Sequence, residues 1–276
     1  MCRRNMFAEV REAFWKQEPK VLEVAKEVNS PRVFFVPMFV SEGYFSEGVI
    51  PKALGFEEVL GPRSKTQSRR PDVQRLTSAV ESTSEAPKSK VQIESPDVVS
   101  HRDLFYCRPV GTHEGMKDVL LGRARQVIEQ FPFPRAPKEA DVTLFIAGHG
   151  TVQDENSRKS IEHQAASIRA LNCYAAVHAV FLEEEPKISS CYDLAETKSV
   201  VVVPFFMSEG MHVQEDIPIL LGEPERIVKK RLQEGKAPWR NPTERKGKLV
   251  WCAQSVGSDP ALADVIVERV REAERV

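Results

Sequence analysis

Two histidines and one glutamate in the second half of the chain are the residues whose types and positions suit metal chemistry. His149, Glu183 and His212 each follow the end of an apolar run. In a parallel α/β sheet the carboxyl ends of the strands lie at one edge, where ligands bind. Two imidazoles and a carboxylate suit a borderline divalent ion such as Co²⁺, Ni²⁺, Fe²⁺ or Zn²⁺. Three protein ligands leave coordination positions open, so the sequence predicts a working metal site.

Each of these side chains also has a purely structural interpretation, which spacing alone does not exclude. His149 would hydrogen-bond the turn between its two glycine neighbours. Glu183 would be a solvated charge ahead of a helix, where two further glutamates follow it. His212 would contact the segment 214–216. Two classes of active site are excluded, because the chain has neither a glycine-rich phosphate-binding motif nor a GxSxG nucleophile motif.

The elements that position these residues alternate between strands and helices. Continuous apolar runs separated by helical segments indicate a parallel sheet that is covered on both faces. The expected strands of the second half are 142–147, 174–181, 200–206 and 248–252. The expected helices run from 156 or 157 to 171, from Pro186, over 225–234, and from 259–260 onward.

An internal repeat relates the two halves of the chain. RVFFVPMFVSEGYFSEGVIPKALG, from Arg32, aligns without a gap with SVVVVPFFMSEGMHVQEDIPILLG, from Ser199, at a constant offset of 167 residues. A second match pairs the VGT of 110–112 with the VGS of 256–258. Such long-period matching indicates two copies of one α/β unit rather than a solenoid.

The repeat predicts two similar lobes related by internal duplication, at residues 1–135 and 136–276. The second lobe carries the metal site. The first is degenerate and lacks its opening βα unit, because the counterpart of its first strand would precede Met1. Residues 62–100 contain no aromatic residue and many Ser, Pro, Lys and Arg, so they are expected to be a flexible insertion.

Composition excludes several other classes of protein. The formal net charge of −1 gives no basic excess for nucleic-acid binding. The longest apolar stretch, 200–207, is too short to cross a membrane, and the N-terminus has no secretory signal. The five cysteines form no CxxC pair, which argues against a zinc ribbon or a disulfide scaffold. A reducing cytoplasm is the expected compartment.

The motifs GHGT, FLEEEP and VVVVPFFMSEGMHVQEDIP resemble those of the class II chelatases of the CbiX type, the sirohydrochlorin cobaltochelatases. The resemblance is strongest over residues 142–222. It implies that His149, Glu183 and His212 bind the metal and are catalytic. It also implies a fold of two α/β lobes around a cleft that takes the tetrapyrrole.

The resemblance further implies insertion of Co²⁺, or of Ni²⁺ or Fe²⁺, into sirohydrochlorin in cobalamin biosynthesis. The metal is a substrate, no organic cofactor is implied, and the protein would act as a monomer or homodimer. Because the tetrapyrrole is rich in carboxylates, Arg158 and Lys159 are candidate contacts, with a solvated helix face as the alternative. Two other readings stay open: a non-catalytic metal or tetrapyrrole binding protein, and a ferrochelatase-like enzyme for another porphyrin.

The first copy departs from the family pattern at the positions of the metal ligands. Lys16 stands where Glu183 stands in the second copy, and Phe45 stands where His212 stands. The partner of His149 would precede Met1. We therefore expect the second lobe to be catalytic and the first to form a wall of the cleft.

Overall fold

The second half of the chain forms a five-stranded sheet. The computed structural model describes residues 6–56, 102–151 and 155–275. The strands of this sheet are β3 (Val142–Gly148), β4 (Ala176–Phe181), β5 (Ser199–Pro204), β6 (Thr243–Arg245) and β7 (Lys248–Cys252). They lie in the order β4–β3–β5–β7–β6, and neighbours among β3, β4, β5 and β7 are parallel. The predicted strands are therefore present, with boundaries shifted by one or two residues.

Helices connect these strands and cover the sheet. The helices of this half are α4 (Glu155–Arg169), α5 (Cys191–Leu194), α6 (Ile217–Leu220), α7 (Glu225–Gln233) and α8 (Leu262–Glu274). Helix α4 follows the His149 loop, and a π-helical turn over His212–Asp216 leads into α6. The short helix predicted to open at Pro186 is present but begins two residues later, as the 3-10 turn Ile188–Ser190 that leads into α5.

The edge strand β6 also corrects the sequence analysis, which predicted parallel strands only. Residues 243–245 pair antiparallel with β7. They reach β7 through a tight turn in which Lys246 and Gly247 both have positive φ. The three residues of β6, Thr-Glu-Arg, are all polar, so the sequence has no apolar periodicity there that would predict a strand.

The first half contributes a smaller sheet, in which β1 and β2 are parallel. Its elements are α1 (Val21–Glu27), β1 (Arg32–Phe35), a π-helical turn over Tyr44–Val49, α2 (Ile50–Ala53), β2 (Asp103–Tyr106) and α3 (Met116–Gln130). The predicted insertion 62–100 lies outside the described residues.

The segment 9–14 lies outside the sheet of the first lobe. It is the counterpart of β4 at the offset of the repeat, but its one β contact in the described chain is the bridge between Phe14 and Lys20. In the second lobe β4 pairs with β3 alone among the strands. Within the described residues, segment 9–14 pairs with no strand, and Val10 and Phe14 are each 40% exposed.

The two lobes otherwise repeat each other in detail. The bridge Phe14–Lys20 recurs as Phe181–Lys187. Gly111 lies against the backbone of Val40, where an added Cβ would be 2.4 Å from its Cα. Gly257 lies against Met207 in the same way, at 2.2 Å from its carbonyl carbon. The fold confirms the predicted α/β architecture of two lobes, while the boundary between 135 and 136 stays a prediction.

The main core is shared between the lobes. Helix α3, from the first half, contacts β5 and β7 of the second sheet, and α8 contacts β2 of the first. Their buried side chains, among them Met116, Leu120 and Val265, belong to one cluster with Leu144 and Trp251. Burying each large apolar side chain contributes roughly 1.5–3 kcal/mol, so this cluster joins the halves energetically.

Four cysteines are free in the described residues, as the absence of paired motifs predicts. Burial raises the pKa of Cys107, Cys191 and Cys252 to about 12, which keeps these thiols protonated and unreactive at neutral pH. None of the helices in the described ranges is long and apolar enough to cross a membrane.

Candidate metal centre

His149 is held in a tight loop between β3 and α4 by the glycines on either side. A Cβ on Gly148 would lie 2.0 Å from Cδ1 of Ile161. Gly150 has φ of +61°, and a Cβ there would lie 2.7 Å from Phe181. Both positions therefore require glycine, because α4 and β4 crowd the loop. This crowding fixes the backbone of His149 at the carboxyl end of β3.

The Glu183 loop is hydrogen-bonded to the His149 loop. The carbonyl oxygen of His149 accepts from the backbone N–H of Leu182 at 3.1 Å and from that of Glu183 at 3.2 Å. Since β3 and β4 are neighbouring parallel strands, their carboxyl ends meet at the same edge. Nε2 of His149 lies 3.7 Å from Oε1 of Glu183.

His212 begins the π-helical turn after β5, the other neighbour of β3. Its Nδ1 lies 2.6 Å from Oδ2 of Asp216, one helical turn further on. A carboxylate at Nδ1 favours the tautomer that carries the proton there and leaves the lone pair of Nε2 for a metal. The contact with segment 214–216 that the structural interpretation expected is therefore present, and it is compatible with metal binding.

The structure brings the three predicted side chains together. The rings of His149 and His212 are 4.9 Å apart between centroids, at 81° to each other. The side chains of His149, Glu183 and His212 are 32%, 55% and 45% exposed, so an ion has access to them. The strand order explains the meeting, because β3 lies between β4 and β5.

These side chains are close but are not already arranged around an ion. Within the described ranges, no group of three His, Cys, Asp or Glu side chains is positioned to hold a metal. Glu183 is 55% exposed, and coordination would require rotation about its side-chain bonds. Two imidazoles and a carboxylate are donors that a borderline divalent ion accepts, and three protein ligands would leave coordination positions open.

Arg158 and Lys159 are already paired with glutamates. Arg158 contacts Glu184 at 3.0 Å and Glu162 at 2.8 Å, and its guanidinium lies 4.9 Å from the ring centroid of Phe181. Lys159 lies 2.8 Å from Glu155. The pKa of Arg158 is raised above its ordinary value, first by the hydrogen bond to Glu184. Their contact with substrate carboxylates stays a prediction.

The described histidines outside the centre make structural contacts or are exposed on a helix. His178 is stacked on Phe145 with ring centroids 5.3 Å apart, and burial lowers its pKa. His113 accepts a hydrogen bond at Nδ1 from the backbone N–H of Gly115. His163 is exposed on α4. His101 lies outside the described residues.

The first lobe keeps the π-helical turn of the centre but not the ligands. Its turn carries Phe45 at the position of His212, and Nζ of Lys16 lies 5.7 Å from the centroid of that ring. Tyr44, next to Phe45, is 77% exposed and packs edge-on against it. A cation thus replaces the glutamate, and an aromatic ring replaces the histidine.

Asp216 is the residue of this centre that the sequence analysis did not single out. The available signal was its i, i+4 spacing from His212, which places two side chains on one face of a helical turn. The same spacing is common between solvated residues, so it predicts a contact only once the helix is known.

Comparison with known proteins gives a family match across both lobes. The family model CbiX matches residues 1–127 and 143–273. The chain is 36% identical, over 267 residues, to a protein of Halobacterium salinarum named probable sirohydrochlorin cobaltochelatase, covering 97% of this chain and 80% of that one. It is 29% identical over 140 residues to the sirohydrochlorin cobaltochelatase of Methanopyrus kandleri, covering 48% of this chain and 96% of that one.

Solved structures show the same fold. A multi-domain protein of Deinococcus radiodurans with structural similarity to chelatases is 25% identical, with a TM-score of 0.63 over 95% of this chain. This chain spans about half of that protein, 46% of its length. SirB of Bacillus subtilis, solved with Fe³⁺, is 16% identical, with a TM-score of 0.58, covering 99% of this chain and 85% of that one.

Proposed function

The chain belongs to the CbiX family of metal chelatases, and we propose that it inserts a divalent metal ion, Co²⁺ before Ni²⁺ or Fe²⁺, into sirohydrochlorin. The observation that carries this proposal is the meeting of His149, Glu183 and His212 at one sheet edge. The names of the two relatives favour sirohydrochlorin as the tetrapyrrole and Co²⁺ as the ion. Cobalamin biosynthesis is the pathway that we propose for such a cobalt tetrapyrrole. The donor set alone accepts all three ions.

The chemistry requires an ion that is held but exchangeable and a base for the pyrrole protons. In metal insertion two pyrrole N–H protons leave while the ion replaces them, so the charge of the ion compensates for the two protons. His149 and His212 would hold the ion through ring nitrogens, and Glu183 through a carboxylate oxygen. Whichever of these groups is not bound to the ion at that moment accepts a pyrrole proton as general base.

The first lobe supports this proposal as a wall for the macrocycle. Tyr44 is 77% exposed and Phe45 is 37% exposed, and the two rings pack edge to face, so they form a small exposed aromatic surface. The flat face of a tetrapyrrole would pack on such rings, and Lys16 beside them would pair with one of its carboxylates. A single chain thus carries both a metal centre and a wall, which suits action as a monomer, although a homodimer remains compatible.

The proposal is tested with the purified chain, sirohydrochlorin and Co²⁺, by following the absorbance change of the tetrapyrrole. His149→Ala and His212→Ala should each abolish insertion, because two ligands hold the ion too weakly. His163→Ala is the matched control, since this histidine is exposed on α4, and it should leave the rate unchanged.

Two results would contradict the proposal. Unchanged rates in both ligand variants would remove the mechanism. Tight binding of metal or tetrapyrrole by the unmodified chain, with no insertion, would instead indicate the non-catalytic binding protein.

A further inference from the structure

A second concave site lies on the face of the second lobe formed by α7 and the β6 hairpin. Its cavity has a volume of about 510 Å³, within the usual range for small-molecule sites. None of the metal-centre residues lines it. Its lining consists of Glu223, Pro224, Ile227, Lys230, Arg231, Glu234, Lys236, Arg240 and Arg245.

The lining of this cavity is strongly cationic. Five of its nine residues are Lys or Arg and two are Glu, which leaves an excess of three positive charges. The chain as a whole carries a formal net charge of −1. The excess at this site is therefore a local feature and not a consequence of composition.

Part of the cationic wall is fixed in place by a buried carboxylate. The side chain of Glu223 is 1% exposed, and its two oxygens accept from Arg245 at 2.8 Å and from Arg240 at 3.5 Å. A buried carboxylate must be paired, so it holds these guanidinium groups at the cavity wall. Nε of Arg245 is itself buried and has no hydrogen-bond partner within the described chain.

The remaining cations have capacity for a further anion. Nε of Arg231 donates to the carbonyl oxygen of Ala237 at 2.7 Å, which orients its guanidinium. Lys230 and Lys236 share one carboxylate, Glu234, at 3.9 Å and 2.7 Å. One acidic side chain thus serves two ammonium groups.

We propose that this cavity, between α7 and the β6 hairpin, binds a compact anion with two or more adjacent negative charges. Bidentate guanidinium groups and ammonium groups are the donors that phosphate and carboxylate groups take. The apolar side chains of Pro224 and Ile227 form the rest of the wall. The site is separate from the metal centre and does not depend on the proposed function.

Isothermal titration of the metal-free chain with pyrophosphate, and in parallel with citrate, at constant ionic strength tests this proposal. We expect saturable binding of one anion per chain. Lys230→Gln/Lys236→Gln should weaken it about tenfold or more, because two charge-assisted contacts are lost. Both lysines are well exposed, at 70% and 60%, so the fold should be unaffected, as circular dichroism would verify.

Arg226→Gln/Lys229→Gln is the matched control, because it also removes two positive charges, here from residues of α7 that do not line the cavity. This variant and His212→Ala should bind the anion as the unmodified chain does. Binding of pyrophosphate alone would identify a phosphorylated ligand, and binding of citrate alone a polycarboxylate. Absence of saturable binding by either anion, or an equal loss in both double variants, would overturn the proposal.

Discussion

At the scale of single residues, the centre depends on how each histidine is oriented as much as on which residues are present. The loop of His149 is set by two glycines that neighbouring elements require. His212 is set by one carboxylate, that of Asp216. The two imidazoles are therefore positioned by different means, a backbone constraint in one and a side-chain contact in the other.

Asp216→Asn should weaken metal binding about 10- to 100-fold, because an amide is a poorer partner for the Nδ1 proton than a carboxylate. The fold should persist, since the side chain of Asp216 is 44% exposed. Metal titration measures the effect. Glu215→Gln, on the same turn, is the control and should leave the affinity within about twofold. Equal losses in the two variants would mean that only the negative charge matters.

Tyr44→Ala and Phe45→Ala should raise the KM for the tetrapyrrole about tenfold while leaving the affinity for the metal unchanged, because they remove ring contacts alone. Steady-state insertion assays and metal titration separate the two effects. Phe133→Ala removes another exposed ring, 66% exposed, outside both π-helical turns. If Tyr44→Ala and Phe45→Ala left the KM for the tetrapyrrole unchanged, these two rings would not be a wall for the macrocycle.

At the scale of elements, the turns 110–112 and 256–258 each pack directly against the backbone of a neighbouring loop. Gly111 and Gly257 donate backbone hydrogen bonds to Phe39 at 2.9 Å and to Phe206 at 3.0 Å. Each bond joins the turn after the last strand of a lobe to the loop after the parallel strand beside it, which is β1 in the first lobe and β5 in the second. In the second lobe that loop leads to His212, so this packing supports the metal centre.

Gly257→Ala should destabilise the fold by about 2 kcal/mol or more, because its Cβ would lie 2.2 Å from the Met207 backbone. Gly122→Ala is the contrasting control. Gly122 lies inside α3 with nothing within 4 Å of an added Cβ, so alanine should stabilise by about 0.5–1 kcal/mol. Urea unfolding measures both. If the Gly257→Ala variant were as stable as the unmodified chain, the contact between turn 256–258 and the Met207 backbone would be able to widen at little cost in free energy.

At the scale of the whole molecule, two buried arginines link the lobes reciprocally. Nη2 of Arg123, on α3, donates to Ser258 of the second lobe at 2.7 Å. Nη2 of Arg269, on α8, donates to Thr112 of the first lobe at 2.7 Å. Thr112 and Ser258 are counterparts in the repeat. Each lobe therefore donates an arginine hydrogen bond to the other lobe and accepts the equivalent bond from it.

Arg123→Ala should destabilise the protein by about 2–3 kcal/mol. Nε of Arg123 lies 3.1 Å from Oδ2 of Asp259, whose side chain is 13% exposed, so the change leaves this carboxylate without its ion-pair partner. Arg271→Ala removes an exposed ion pair on α8 and should cost within about 0.5 kcal/mol. Urea unfolding followed by tryptophan fluorescence provides the measurement. Similar values for the two variants would mean that the link between the lobes contributes little.

Much of the architecture could be predicted from the sequence, because its signals are local. Continuous apolar runs predicted β3, β4, β5 and β7, and the constant offset predicted two lobes. The types of His149, Glu183 and His212, and their places after strands, predicted that they would meet. These inferences need only periodicity along the chain and the general rule for parallel sheets.

Only the tertiary structure decided which distant groups touch. It paired Arg158 with Glu184, gave His212 its partner Asp216, and carried α3 onto the sheet of the other lobe. Within the described residues it also placed segment 9–14, the counterpart of β4, outside the sheet of the first lobe. Such contacts join side chains whose separation in sequence carries no information on their distance in space. The sequence therefore determined the elements and the ligand types, and the packing determined which residues orient, link and neutralise them.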